Sequence, residues 1–259
     1  WLEHLTVNQR VLGSSPRGGA NSSLAAMQGF FCFVYLNNYC QFIHMQLSEK
    51  ASEIVKNLRT TKKLGDVRSL AKQIKQDNDL AIELWSTEIF YCRMLAVLIF
   101  DKKELNEEFI HQLFSDMLLH AQLEQAQLAD WLMANQLLKN KSGIALIESW
   151  KNSNNVLQRR LFWYYQGRLR WMGKIPYDNA EELLDIVEKN IVYEDPLVQW
   201  AMNFTTGQIG IHEEKYRTRC INIGLENKLY KDEKVSKGCT PNYLPLYITM
   251  EVEKKEKNN

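Results

Sequence analysis

The sequence predicts an all-α protein, and three observations predict it. The chain has 259 residues but only twelve glycines and five prolines, so little interrupts a helix. Amphipathic runs of ten to twenty residues follow one another almost without pause. Capping residues (Ser48, Asp66, Thr87, Ser142, Asp178, Asp195) stand where the apolar periods begin.

Taken in order, Ser48 opens a first helix to about Leu58, with Glu49 and Glu53 placed to favour its N-terminus. Asp66 is expected to cap Val67–Lys75, with Val67, Leu70, Ala71 and Ile74 as its apolar stripe. Asn78 or Asp79 begins Leu80–Trp85, and Thr87 is expected to cap Glu88–Phe100, apolar on nearly every side and so buried. Glu104–Leu119, Leu123–Leu138 and Ser142–Trp150 follow. A long helix over Asn154–Lys174 is closed by Gly173 and Pro176. Asp178 caps Ala180–Asn190, Asp195-Pro196 starts Leu197–Gln208, and His212–Leu225 comes last. The polar stretch from Tyr230 reads as a tail, its end at 251–259 charged and frayed. Helices paired every 35 to 45 residues fit an α-solenoid of HEAT-like repeats, with a compact helical bundle as the competing architecture.

Net charge is +1 with 45% hydrophobic and 24% charged residues, the composition of a globular protein with no overall bias toward nucleic acid or membrane. Five cysteines without CxxC spacing argue against a disulfide framework and a structural zinc site, and for a reducing, cytoplasmic setting. No metal and no cofactor is expected. Residues 1–44 lack a helical period, and GFFCFVYL is too short to span a membrane. Leu12–Arg17 back-translates into a string with the form of a transfer-RNA T-arm, so 1–44 is expected to derive from DNA upstream of a start at Met45. Coding DNA without an overlapping transfer-RNA gene would remove that idea. The body is taken as one repeat domain over 45–250.

Charge is instead concentrated locally. Between Glu148 and Asp178 stand Lys151, Arg159, Arg160, Arg168, Arg170 and Lys174 and no carboxylate. At 100° per residue, Leu157, Leu161, Tyr164, Tyr165, Leu169 and Met172 fall on one side of the Asn154–Lys174 helix. Arg159, Arg160, Trp163, Gly167, Arg170, Trp171 and Lys174 fall on the other, a cationic and aromatic face suited to a phosphate backbone. The alternative is that the tryptophans pack on a neighbouring helix and the arginines are solvated.

Several stretches carry a family resemblance. They are Leu64–Ile99 (with LAIELW and RMLA), Ala145–Arg160 (ALIESWKNSNNVLQRR), Leu197–Ile211 (LVQWAMNFTTGQIGI) and Lys237–Leu244 (KGCTPNYL). Together they resemble the AlkD-like DNA alkylation repair proteins, a HEAT-repeat family, over nearly all of 50–250. The resemblance implies a concave basic groove that embraces duplex DNA. It also implies a glycosylase that excises cationic alkylpurines without flipping the base into a pocket. In such enzymes tryptophans lie against the sugar of the lesion, an aspartate stabilises the oxocarbenium-like transition state and an arginine holds the backbone.

By that resemblance Arg159 matches the backbone-holding arginine and Trp200 one tryptophan. Asp130 matches the second acid of a WDxxD-like pattern across a one-residue gap, with Gln125 or Gln127 where the tryptophan and first acid stand. The expected site is therefore Asp130 as catalyst, with Arg159, Arg160, Trp163, Arg170 and Trp200 on DNA. The expected protein is a monomer that repairs alkylated DNA. The alternatives are a non-catalytic protein that binds distorted or branched DNA, and a HEAT scaffold for an acidic protein partner.

Overall fold

The computed structural model describes residues 46–60, 63–174 and 178–258. The N-terminal segment 1–44 and Pro176 lie outside them. Twelve α-helices and no strand occur among the described residues, which fall into two compact units, one ending at Ile110 and the other starting at His111.

The first unit holds α1 (Glu49–Leu58), α2 (Leu64–Ile74), α3 (Asn78–Ser86) and α4 (Phe90–Ile99). Ser48 caps α1 as expected, its Oγ accepting from Ala51 N at 3.1 Å. The cap of α3 is Asp77 instead of Asn78 or Asp79: its Oδ1 accepts from Leu80 N. Asp66 lies inside the first turn of α2 and caps nothing. Thr87 donates to Leu84 O, and α4 starts after Ile89, because Glu88 turns the chain at φ 59. The core of this unit is α4, buried from Cys92 to Val97 and again at Ile99. Its one cation, Arg93, donates from Nε to Trp85 O and lies 4.9 Å over the Trp85 ring, so a buried charge keeps both a hydrogen bond and an aromatic face.

The chain continues through α5 (Glu107–Met117), α6 (Gln122–Asn135), α7 (Lys141–Ser149), α8 (Val156–Trp171), α9 (Ala180–Asn190), α10 (Pro196–His212), α11 (Glu214–Asn227) and α12 (Leu244–Asn258). Helices α8 and α10 form the main packed pair of the second unit. α6 and α7 also lie against α8, and α9, α11 and α12 against α10. Asn155 caps α8 through Leu157 N and Gln158 N. The helix ends in a Schellman turn, with Lys174 N donating to Leu169 O and Gly173 N to Arg170 O while Gly173 sits at φ 67. That turn carries Met172 out of the expected core stripe and leaves it and Trp171 exposed.

The C-terminal stretch read as a polar tail holds a helix. Residues 244–258 form α12, seated on glycines of two neighbours. A Cβ at Gly210 would stand 2.8 Å from Ile248, and one at Gly224 2.6 Å from Leu244. Only residues without a side chain allow so close an approach.

Candidate functional site

Asp130 is the single charged residue in the buried run Leu128–Met133 of α6. Its Oδ2 accepts from Arg160 Nη2 at 2.8 Å; Asp130 is 4% exposed and Arg160 0%. Burial pushes the Asp130 carboxyl above its usual range, while the charge and hydrogen bond of Arg160, and then the charge of Arg168, pull it back. Oδ1 has no hydrogen-bond partner among the described residues. The arginine uses Nη1 on Leu197 O at 3.1 Å, which ties α8 to the first turn of α10.

Aromatic rings enclose this ion pair. The Arg160 guanidinium lies 4.7 Å from the Trp200 ring centroid and 5.8 Å from that of Tyr164. Phe204, one turn beyond Trp200 on α10, stacks on it with centroids 5.6 Å apart and planes 4° from parallel. Tyr164, one turn beyond Arg160 on α8, tilts against both. Burial and the neighbouring Asp130 charge raise the Tyr164 hydroxyl far above its ordinary value, so it stays protonated. Trp200 is partly exposed and forms the outward edge of the cluster.

The structure thus brings together Asp130, Arg160 and Trp200, residues far apart in sequence. It adds Phe204, which sequence reasoning missed, and Tyr164, which the helix wheel puts on the apolar side away from Arg160. Each stands four residues after a candidate, on the same helix face, and that spacing was the available signal.

The rest of the expected site lies elsewhere. Arg159 turns about 100° away from Arg160 and is partly buried. Its Nη1 donates to Ser153 O at 2.8 Å and its Nη2 to Glu194 Oε2 at 3.1 Å. The two-faced reading of the Asn154–Lys174 helix needs correction, because Trp163, Arg160 and Arg170 are enclosed, at 2%, 0% and 3% exposure. None of the three presents to a backbone outside the protein in this arrangement. The reason is that α8 is covered by α10 on one flank and by α6 and α7 on others. Trp163 packs edge-on to Phe162, and its carbonyl accepts from Thr205 Oγ1. Arg170 binds Glu213 Oε1 at 2.5 Å, Asn179 Oδ1 at 2.9 Å and Gln166 O at 3.2 Å. The glycine at the centre of the supposed surface, Gly167, instead admits the Phe204 ring.

Gln125 does structural work, its Nε2 donating to Leu118 O and His120 O to close the turn before α6. Trp131 is fully buried. Among the described residues no three His, Cys, Asp or Glu side chains come together as a metal site, and no helix is long and apolar enough to cross a membrane. Burial raises the thiols of Cys92 and Cys220, the latter to about 12, so neither offers a thiolate near neutral pH.

The profile of a protein family described as "DNA alkylation repair enzyme" matches residues 53–228. No curated protein matches the chain. In fold the chain is similar to a solved structure described as "a new family of proteins related to the HEAT-like repeat DNA glycosylases with affinity for branched DNA structures". The two share 18% identity over 80% of this chain and 89% of the other, with a TM-score of 0.56. That likeness establishes a HEAT-like all-α fold.

Proposed function

The chain belongs to the DNA alkylation repair enzyme family, and on that premise we propose that it binds duplex DNA and hydrolyses the N-glycosidic bond of alkylated purines. The observation that supports this reading is the Asp130–Arg160–Trp200 cluster. A purine made cationic by alkylation is already a good leaving group, so the reaction needs chiefly negative charge near the sugar as it becomes an oxocarbenium ion. Asp130 supplies that charge, with Arg160 fixing the carboxylate through Oδ2 and leaving the buried Oδ1 without a hydrogen-bond partner. The partly exposed Trp200 offers its ring to the cationic base or its sugar. Arg159 on the neighbouring face takes a backbone phosphate in place of Glu194. The protein acts as a monomer.

One observation favours a second reading. Asp130 is 4% exposed and half its carboxylate is committed to Arg160, which suits a structural ion pair at the base of a non-catalytic site. In that case the protein recognises distorted or branched DNA, as the solved neighbour's description says of that protein.

The test is release of base from duplex DNA carrying 7-methylguanine, with wild type beside Asp130→Asn. Release by the wild type that falls about a hundredfold or more in the variant supports the glycosylase. No release at high protein concentration, with DNA binding intact, leaves the second reading. Absence of any salt-dependent affinity for DNA would sink both.

A further inference from the structure

Between α11 and α12, residues 228–243 form a chain of tight turns. Backbone hydrogen bonds run from Lys231 N to Lys228 O, Glu233 N to Tyr230 O and Cys239 N to Ser236 O. Lys228, Tyr230 and Gly238 all lie at positive φ, at 55°, 62° and 85°. For a tyrosine that conformation is strained, and it persists only where surrounding contacts impose it. Those contacts are present. Asn203 Nδ2 donates to Asn242 O at 2.8 Å, and the Asn242 side chain donates to both carboxylate oxygens of Glu233 at 2.9 and 3.1 Å. Asn203 is buried and stands three residues after Trp200, so the loop is anchored on the Trp200 side of α10. Burial and the Glu233 charge raise the Tyr230 hydroxyl, and the charge of Arg160 opposes them.

From this anchored loop Lys228, Lys231, Lys234 and Lys237 project at every third position. All four are exposed, and none takes part in an ion pair among the described residues. Of the two acids between them, Glu233 is held inward by Asn242. The family match ends at Lys228, so the other three lysines lie beyond it.

We propose that the 228–243 loop is a second DNA-backbone contact, in which these lysines neutralise phosphates flanking the nucleotide that meets Trp200. This rests on the DNA-binding reading given above. Four exposed point charges suit a phosphate track, which needs no bidentate geometry. The anchoring through Asn203 and Asn242 ties the loop that bears them to α10, the helix that carries Trp200.

The test uses the full chain with Lys228→Gln, Lys231→Gln, Lys234→Gln and Lys237→Gln together, and the two paired variants (228/231 and 234/237), each titrated with a DNA duplex over a range of salt. Each phosphate contact contributes about 0.9 to the slope of log affinity against log salt, so the fourfold variant should flatten the slope by about two to four and each pair by about half as much. A wild type that binds with a steep slope, beside a fourfold variant of unchanged slope, would overturn the loop contact and leave the DNA reading standing. A wild type with no salt-dependent affinity would instead remove the DNA reading, and this inference with it.

Discussion

Asp130 Oδ2 and Arg160 Nη2 lie 2.8 Å apart, and neither side chain is more than 5% exposed. Taking two charges out of water is costly, and their attraction repays it only while both are present. Arg160→Met should therefore destabilise the protein by about 3–5 kcal/mol, because it strands a buried carboxylate. Adding Asp130→Leu to it should recover most of that loss. Urea denaturation of the three variants measures this, and a double variant no more stable than the single would show that the pair is not an isolated unit.

Arg159 and Glu194 are 3.1 Å apart at a partly exposed site. A phosphate can reach Arg159 only by displacing that carboxylate. Glu194→Gln should tighten DNA binding, and Arg159→Ala should weaken it across sequences and flatten the salt slope by about one. Titrations at several salt concentrations decide this; an unchanged slope in Arg159→Ala removes that arginine from the phosphate face.

Arg219 on α11 bridges three acids of α9, reaching Asp185 Oδ1 at 2.6 Å, Glu188 Oε2 at 2.8 Å and Glu181 Oε1 at 3.3 Å. Its hydrogen bonds hold the carboxyls of Asp185 and Glu188 below their ordinary values. For an acid with a depressed folded-state pKa, the stabilisation is present above the unfolded value, about 3.9 for Asp and 4.3 for Glu, and is lost as pH falls through the folded value. Arg219→Gln should thus melt earlier than wild type near neutral pH, with the gap closing below pH 4. A gap of equal size at pH 7 and pH 2.5 would mean that Arg219 acts through packing alone.

Gly167 is where α8 receives Phe204. A Cβ there would stand 2.8 Å from the ring and 3.0 Å from the Thr205 Cα. The backbone atom cannot move aside, so Gly167→Ala should cost about 1–3 kcal/mol. It should also tilt Phe204 and Trp200 out of their stack, which the tryptophan fluorescence maximum would report.

How much of this was legible in the sequence depends on the interaction concerned. Helix existence was, because it rests on local periodicity and capping: Ser48, Asn155–Trp171 and Asp195-Pro196 lie where the chain's own chemistry places a start or stop. Boundaries slipped where a turn overrode the nearest capping residue, as at Glu88 and Thr87. The polar tail became α12 because glycines on α10 and α11, distant in sequence, leave room for it. The resemblance put Asp130 and Trp200 in one expected site, but the Arg160 guanidinium that links them was read as a phosphate contact.

What the sequence by itself determined is an all-α chain with a cation-rich helix at its centre, since composition and a 3.6-residue period act over neighbouring residues. Only the tertiary structure decided which arginine faces which acid. A helix wheel shows the angle of Arg159, Arg160, Trp163 and Arg170 about their axis, but not what covers each side. With α10, α6 and α7 laid against α8, most of its cationic, aromatic face is turned inward. Arg160 is thereby paired with Asp130 and Trp200, and Arg159 is left at the surface, held by Glu194.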